Sequence, residues 1–364
     1  MIKSLLSDDS NLKKRPLFFY GAGVWCRRLM DACETIGITP DYIVDRNPKL
    51  WGKPIKGINT ISPAEMQNFD PDCPVIISTY FIRSAEQSLK EYGFHNMWHF
   101  PNVGDIIRCF GLNSDEIEEI IANNKEIIST VARHLTDQRS AEVFSGNILR
   151  RRANWDNFDD IADPDEYFCA DIIRLDRDEI LLDGGGYDGR TTLDFIERTN
   201  GHFKHIYSFE PLPEMVSVIK DNLKNCSVKE KITVVNMGLD EKPGTVRFVL
   251  LGMGSHIDSG GEIKIRADSI DNYFKDKEPP TYITLDIEGT EIQAIVGADT
   301  IINKHRPKLA ISIYHKFNDL WEIPYYLMHK YPFYNYYIRH HYCGVLQTVC
   351  YAIPKDHNEK HRAD

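Results

Sequence analysis

No stretch of the 364-residue chain approaches the ~18 consecutive apolar residues that cross a bilayer. The opening residues, MIKSLLSDDSNLKKR, lack the apolar core of a secretion signal. The expectation is a cytoplasmic protein with no membrane span. Cysteine occurs eight times but never as a CxxC pair. Such scattered cysteines read as reduced, mostly buried thiols, and no residue set is assigned to a metal. Cys26 and Cys33, seven apart on one helix, read as core. Positive charge is also short: 43 Lys and Arg stand against 54 Asp and Glu, a net −11. Phosphate binding needs a basic face, so nucleic acid is excluded as the main partner. The local basic run Arg150-Arg151-Arg152 reads as a solvated helix end. Repeats and low-complexity tracts are missing too.

What the chain has is apolar content of 42% and charged content of 27%, the balance of a soluble globular protein. Its length favours two domains. The most organised stretch is residues 179–211, EILLDGGGYDGRTTLDFIERTNGHFKHIYSFEP. Residues 180–182 are a short apolar run ending in Asp183 and three glycines. A helical spacing follows at Leu193 and Ile196, then a second apolar run over 206–209 ending in Glu210. That order is strand, glycine turn, helix, strand, carboxylate. Glycines let backbone approach a ligand where a Cβ would clash. A carboxylate about 20 residues on can accept both hydroxyls of a ribose.

A shorter version opens the chain. Residues 16–20 read as a strand, Gly21-Ala22-Gly23 as a turn, 24–37 as a helix and 41–44 as a strand ending in Asp45. The segment KPIKGINTISPAEM reads as a loop leading to a helix capped at Ser62-Pro63. Strands over 75–79 and 97–100 and a helix over 85–92 complete a small α/β domain, placed at 1–110. It is either a degenerate Rossmann unit that orients or dimerises the protein, or a nucleotide site using Gly21, Gly23 and Asp45. Residues 111–165 read as a helical connector, with Asn113 or Ser114 as cap and Ile117, Ile120, Ile121, Ile127, Ile128, Val131 and Leu135 at helical spacing. Tyr167 and Phe168 could cover a cofactor or simply pack.

The second domain, 166–354, continues with a helix over 211–223 and a strand over 231–236. A hairpin over 246–251 and 263–267 flanks a glycine-rich loop. Strands over 283–285 and 309–313 end in Asp286-Ile287-Glu288-Gly289 and Tyr314-His315. Alternating Tyr334, Tyr336, Ile338 and Val349, Tyr351, Ile353 read as a closing antiparallel pair. Residues 355–364 form a polar tail. The fold class is α/β: a Rossmann-like domain of mostly parallel strands with an antiparallel closing pair, preceded by a smaller Rossmann-like domain.

Ligands of such sheets lie beyond the carboxyl ends of the strands. Asp183, Glu210, Asp286 and Glu288 all end strands here, and His315 ends another. If the strands near 180, 283 and 309 are neighbours, Asp286, Glu288 and His315 rim one crevice. The bland alternative is that Asp286 or Glu288 caps the helix starting near Thr290. Gly184, Gly186 and Gly189 also spell GxGxxG, the dinucleotide pattern. Asp183 argues against it, since a carboxylate repels a pyrophosphate but suits a cationic sulfonium.

LLDGGGYDGRTT, YSFEP, ITLDIEGTE and PKLAISIYH resemble the FkbM family of S-adenosylmethionine-dependent methyltransferases, over residues 163–354. FFYGAG, YIVDRNPKLWGKPIKG and the S-P-A-E that follows look like the nucleotide-binding-like module at the front of bacterial glycan-pathway proteins. The resemblance implies an O-methyltransferase acting on a hydroxyl of a sugar, nucleotide sugar or glycan intermediate. It places Asp183, Gly184, Gly186 and Asp188 at the methionine moiety and turn. Glu210 falls on the ribose, and Asn236 and Met237 beside the adenine. His315 is the first candidate base, with Asp286 and Glu288 as further base, orienter or hard-cation ligands, so magnesium stays open. The His340-His341-Cys343 cluster is set aside as a zinc site, because adjacent strand residues face opposite ways. Two other readings are an NAD-dependent sugar oxidoreductase or epimerase, and a non-catalytic nucleotide-sugar-binding protein. The oxidoreductase reading is weakened because neither Tyr92 nor Tyr331 has a lysine four residues on. A homo-oligomer is left open.

Overall fold

The computed structural model describes residues 15–34, 37–79, 82–99, 110, 112–153, 158–163, 165–249, 256–257, 263–341 and 344–355. The lead-in 1–14, most of the glycine-rich loop 252–262, Cys343 and the tail from 356 lie outside them. The chain divides into two compact units, Met1–Gly104 and Asp105–Asp364.

The first unit holds one sheet. Its strands are β1 (Phe18–Tyr20), β2 (Tyr42–Val44), β3 (Pro54–Ile55), β4 (Ile58–Ile61), β5 (Val75–Ile77) and β6 (Met97–His99), in the order β3-β4-β2-β1-β5-β6. All neighbours are parallel except the β3–β4 hairpin. β1 is fully buried, with Phe19 packed against Cys26, Cys33 and Ile43 on one face. Phe18 packs against Phe69 and Phe94 on the other. The KPIKGINTI segment is therefore a hairpin and not a loop. Lys56 and Gly57 both have positive φ, 47° and 82°. That pair of left-handed residues is what a tight two-residue hairpin turn requires. The helix that follows starts as expected: Ser62 and Glu65 form a reciprocal capping box with Pro63 in the first turn.

Among the described residues of the second unit, the helices Ser114–Asn123, Lys125–His134 and Gln138–Ala153 precede the strands. They lie along the sheet edge. Thr136 N donates to Tyr336 O at 2.8 Å, and Arg339 pairs with Asp137 at 2.7 Å. Of the basic run at the end of the third helix, Arg150 and Arg151 are buried and Arg152 is exposed. Arg151 is fully buried, with its guanidinium 5.1 Å from the Phe110 ring and 5.3 Å from that of Phe317. Arg150 pairs with Asp160, and Arg152 pairs with Glu118 at 2.8 Å. Stacking and ion pairing consume the charge, so it offers no basic face.

The strands continue as β7 (Ile180–Gly184), β8 (His205–Phe209), β9 (Ile232–Val235), β10 (Gly238–Leu239), β11 (Gly244–Val249), β12 (His256–Ile257), β13 (Ile263–Asp268), β14 (Tyr282–Leu285), β15 (Lys308–Ser312), β16 (Tyr334–His340) and β17 (Thr348–Pro354). Seven of them form the main sheet, ordered β16-β17-β15-β14-β7-β8-β9. The five from β15 to β9 run parallel, and β17 and β16 close the edge antiparallel. This is the expected Rossmann-like sheet with its antiparallel pair. A separate four-stranded sheet, β10-β13-β11-β12, carries the expected hairpin as β11 against β13. Buried strands β7, β14, β15 and β17 are apolar on both faces because helices cover both sides. The helix Asp319–Lys330 contains Pro324 and packs Trp321, Ile323 and Leu327 into the core. Among the described residues no helix is long and apolar enough to cross a membrane.

Candidate functional site

β7 pairs with β8 on one side and β14 on the other, and β14 pairs with β15. The carboxyl ends of these four adjacent strands carry Asp183, Gly184, Gly186, Asp188, Glu210, Asp286, Glu288 and His315, whereas Asn236 and Met237 follow β9. The crevice opens where chain order reverses at β7, between β8 and β14.

Asp183 lies beneath the glycine turn and is 2% exposed. Thr192 donates to Oδ2 at 3.0 Å, Ser208 to Oδ2 at 3.3 Å, and Thr284 to Oδ1 at 3.3 Å. Burial pushes the carboxyl up to about 6 against these three hydroxyls. Its side chain ties β8, β14 and the helix Arg190–Arg198 to β7. The glycines above it answer to protein neighbours. A Cβ on Gly185, at φ +90, would stand 2.0 Å from Asp286 O, and one on Gly186 would stand 2.3 Å from Ser208 Oγ. A Cβ on Gly184 would meet Leu285 Cδ2 at 2.8 Å. Asp188 Oδ1 accepts Arg190 N at 3.1 Å, just ahead of the N-cap Gly189.

Glu210 is buried, yet among the described residues each oxygen holds one backbone donor. Oε2 accepts Tyr187 N at 3.0 Å, and Oε1 accepts Leu212 N at 2.9 Å. Each keeps a lone pair. Burial raises its pKa, and those two N–H groups pull the other way. Asn236 is exposed, and its Nδ2 donates to Glu210 O at 3.0 Å and Pro211 O at 2.8 Å. The Met237 side chain belongs to the core, 3% exposed. The first unit repeats the acid geometry. Asp45 Oδ2 accepts Ala22 N at 2.7 Å, and Oδ1 accepts Asn47 N at 2.7 Å.

On the other side of β7, Asp286, Glu288 and His315 do converge. His315 Nε2 lies 3.1 Å from Asp286 Oδ1 and 3.6 Å from Glu288 Oε2. Nδ1 lies 2.9 Å from Glu291 Oε1, an ion-pair distance without hydrogen-bond alignment. Burial disfavours the imidazolium, but Glu291 and Asp286 outweigh it and hold the His315 pKa well above its ordinary value. Burial likewise opposes the Asp286 charge. His315, with the Tyr314 and Tyr167 hydroxyls at 2.8 Å each, outweighs it and lowers the pKa. Glu288 sits at φ +59, and burial raises it to about 8 against the pull of His315. About a third of its side-chain surface remains open (34%).

Neither Asp286 nor Glu288 caps the helix Glu291–Val296, which has no side-chain cap. Glu291 instead braces the loop, with Oε1 accepting Ile287 N at 3.0 Å and Gly289 N at 3.3 Å. Sequence reasoning left Glu291 unassigned, although it lies three residues past Glu288 in ITLDIEGTE. Tyr167, read there as a lid or packing, is the buried hydrogen-bond donor to Asp286. Among the described residues no group of three or more His, Cys, Asp or Glu is arranged to hold a metal ion. His340 and His341 diverge as expected: His340 Nδ1 meets Thr348 Oγ1 at 2.8 Å, and His341 Nε2 meets the Tyr351 hydroxyl at 2.8 Å.

A Rossmann-like sheet with this strand order, a glycine turn after β7 and an acid ending β8 defines a nucleoside-cofactor enzyme of the methyltransferase type. Residues 183–341 match the family model described as the methyltransferase FkbM domain. Residues 183–341 therefore form an FkbM methyltransferase domain, and the chain is a methyltransferase. No curated protein matches it in sequence. Among solved structures it is similar in fold to methyltransferase FkbM from Methylobacillus flagellatus KT. Identity there is 22%, over 96% of this chain and 92% of that one, with a TM-score of 0.60. A precorrin-6y C5,15-methyltransferase from Geobacter metallireducens GS-15 shares 13% identity over 54% of this chain and 96% of that one, with a TM-score of 0.35. An rRNA methylase from Streptococcus thermophilus shares 14% over 50% and 89%, with a TM-score of 0.32.

Proposed function

We propose that the chain is an S-adenosylmethionine-dependent O-methyltransferase whose acceptor is a hydroxyl of a sugar, nucleotide sugar or glycan intermediate. The observation that carries this is the facing of Glu210 and the Asp286–Glu288–His315 cluster across the end of β7. The residues fit the cofactor, since both Glu210 oxygens keep a lone pair for a ribose hydroxyl. When bound, S-adenosylmethionine supplies an electrophilic methyl on a good leaving group. Positioning then carries much of the rate, and the chain must remove the acceptor's proton.

His315 is a poor first base in this setting, because its carboxylate neighbours hold it as an imidazolium. Glu288 takes that role instead. Its side chain is as open as that of Asp286, 34% each, but its raised pKa makes its carboxylate the stronger base. Glu288 would take the hydroxyl proton, while the cofactor would supply the methyl, its carbon–sulfur bond breaking to leave the neutral thioether as the oxygen–carbon bond forms. Asp286, fixed by Tyr167 and Tyr314, orients His315. The His315 charge stabilises negative charge developing on the acceptor oxygen.

Calorimetric titration of the full chain with S-adenosylmethionine and with NAD tests the reading. Binding of S-adenosylmethionine alone is expected, and binding of NAD alone would overturn it.

A further inference from the structure

The turn after β7 ends in Tyr187, held in the left-handed region at φ +44. A bulky side chain rarely adopts that conformation. The ring is also 51% exposed. An unfavourable backbone and a large aromatic in water therefore meet at one residue. Neither serves the turn. The N–H that Tyr187 gives Glu210 is backbone, which any residue but proline supplies. Glycine or asparagine would take the conformation with less strain. Strain of this kind concentrates at ligand sites.

The position narrows the ligand. Tyr187 is joined to Glu210 through its backbone, and its hydroxyl feels the charges of Asp188, Glu210 and Glu288. It thus stands beside the acid suited to a ribose and within electrostatic reach of the acid suited to an acceptor hydroxyl. If S-adenosylmethionine is the cofactor, as proposed above, its sulfonium must fall between those same two acids. We propose that the Tyr187 ring is a cation–π contact for that sulfonium, so that the site distinguishes the charged cofactor from its neutral product. The ring's attraction persists when Glu288 is protonated, which a carboxylate's does not.

The test is calorimetric titration of the wild-type chain, Tyr187→Leu and Tyr187→Phe with S-adenosylmethionine and with S-adenosylhomocysteine. Tyr187→Leu should weaken S-adenosylmethionine by about 5-fold and leave S-adenosylhomocysteine within about 2-fold. Tyr187→Phe should keep both affinities. Equal weakening of the two ligands by Tyr187→Leu, or no change in either, overturns the proposal. A wild-type chain that binds neither ligand removes the cofactor reading and this proposal with it.

Discussion

His315 Nε2 and Asp286 Oδ1 stand 3.1 Å apart, and Glu291 holds the other face of the same ring. The imidazole is a counter-charge for two acids as much as a reactive group. His315→Gln should lower stability by roughly 3 kcal/mol at pH 6, because it leaves buried carboxylates uncompensated. The folded pKa of His315 lies above its ordinary 6.5. Its stabilisation is therefore complete below that value and fades as pH rises through the folded one. Urea unfolding at pH 6 and at pH 10 should show the wild-type advantage shrinking. An advantage that grows with pH would contradict the ion-paired imidazolium.

Glu288 gives a separate pH signature. Its folded pKa is raised from 4.5 to about 8, so kcat/KM should climb with pH through about 8. Glu288→Gln should lower turnover by about 100-fold or more while sparing S-adenosylmethionine affinity. The folded state also keeps a proton that the unfolded chain releases between pH 4.5 and 8. Wild-type stability should therefore fall across that window relative to the variant. Turnover within about 2-fold of wild type in Glu288→Gln would remove it as the base.

For Glu210, the carboxylate is expected to serve the ribose as well as the turn. Glu210→Gln replaces one acceptor oxygen with a donor and removes the charge. S-adenosylmethionine affinity should drop about 10-fold or more, since hydrogen bonds to charged groups contribute about 1.5–3 kcal/mol. Isothermal titration at fixed pH reads this directly. Unchanged affinity would detach Glu210 from the cofactor.

The acids ending β7, β8 and β14 were legible because each follows a short apolar run, and a charge there must face the crevice or find donors. Glu291 was not, since an acid in a helix's first turn already has a reason in the helix dipole. Tyr167 reaches Asp286 across 119 residues of sequence, a contact that only the folded sheet creates. The β3–β4 hairpin was hidden by Lys56, because lysine gives no turn signal at a left-handed position. The helix Asp319–Lys330 carries Pro324 in its interior, where a proline argues against a helix. Arg151 read as solvated because its burial depends on Phe110 and Phe317, which the fold brings from either side. Asp183 illustrates the opposite limit: its place at the crevice was readable, but its three hydroxyl donors come from separate elements.

The two glycine turns should respond differently to alanine. At Gly185 the backbone is left-handed and a Cβ would stand 2.0 Å from the Asp286 carbonyl oxygen. That oxygen belongs to the strand end carrying the acid cluster, so relief would displace the site itself. Gly185→Ala should cost about 3 kcal/mol or more and lower both melting temperature and turnover. Gly23 is not left-handed, and a Cβ there would meet nothing within 4 Å. Gly23→Ala should change stability by under about 1 kcal/mol, mostly through a weaker helix start. Thermal unfolding of both variants checks the contrast. Comparable losses at the two positions would mean that the glycines answer to the turn alone and not to the neighbouring strand.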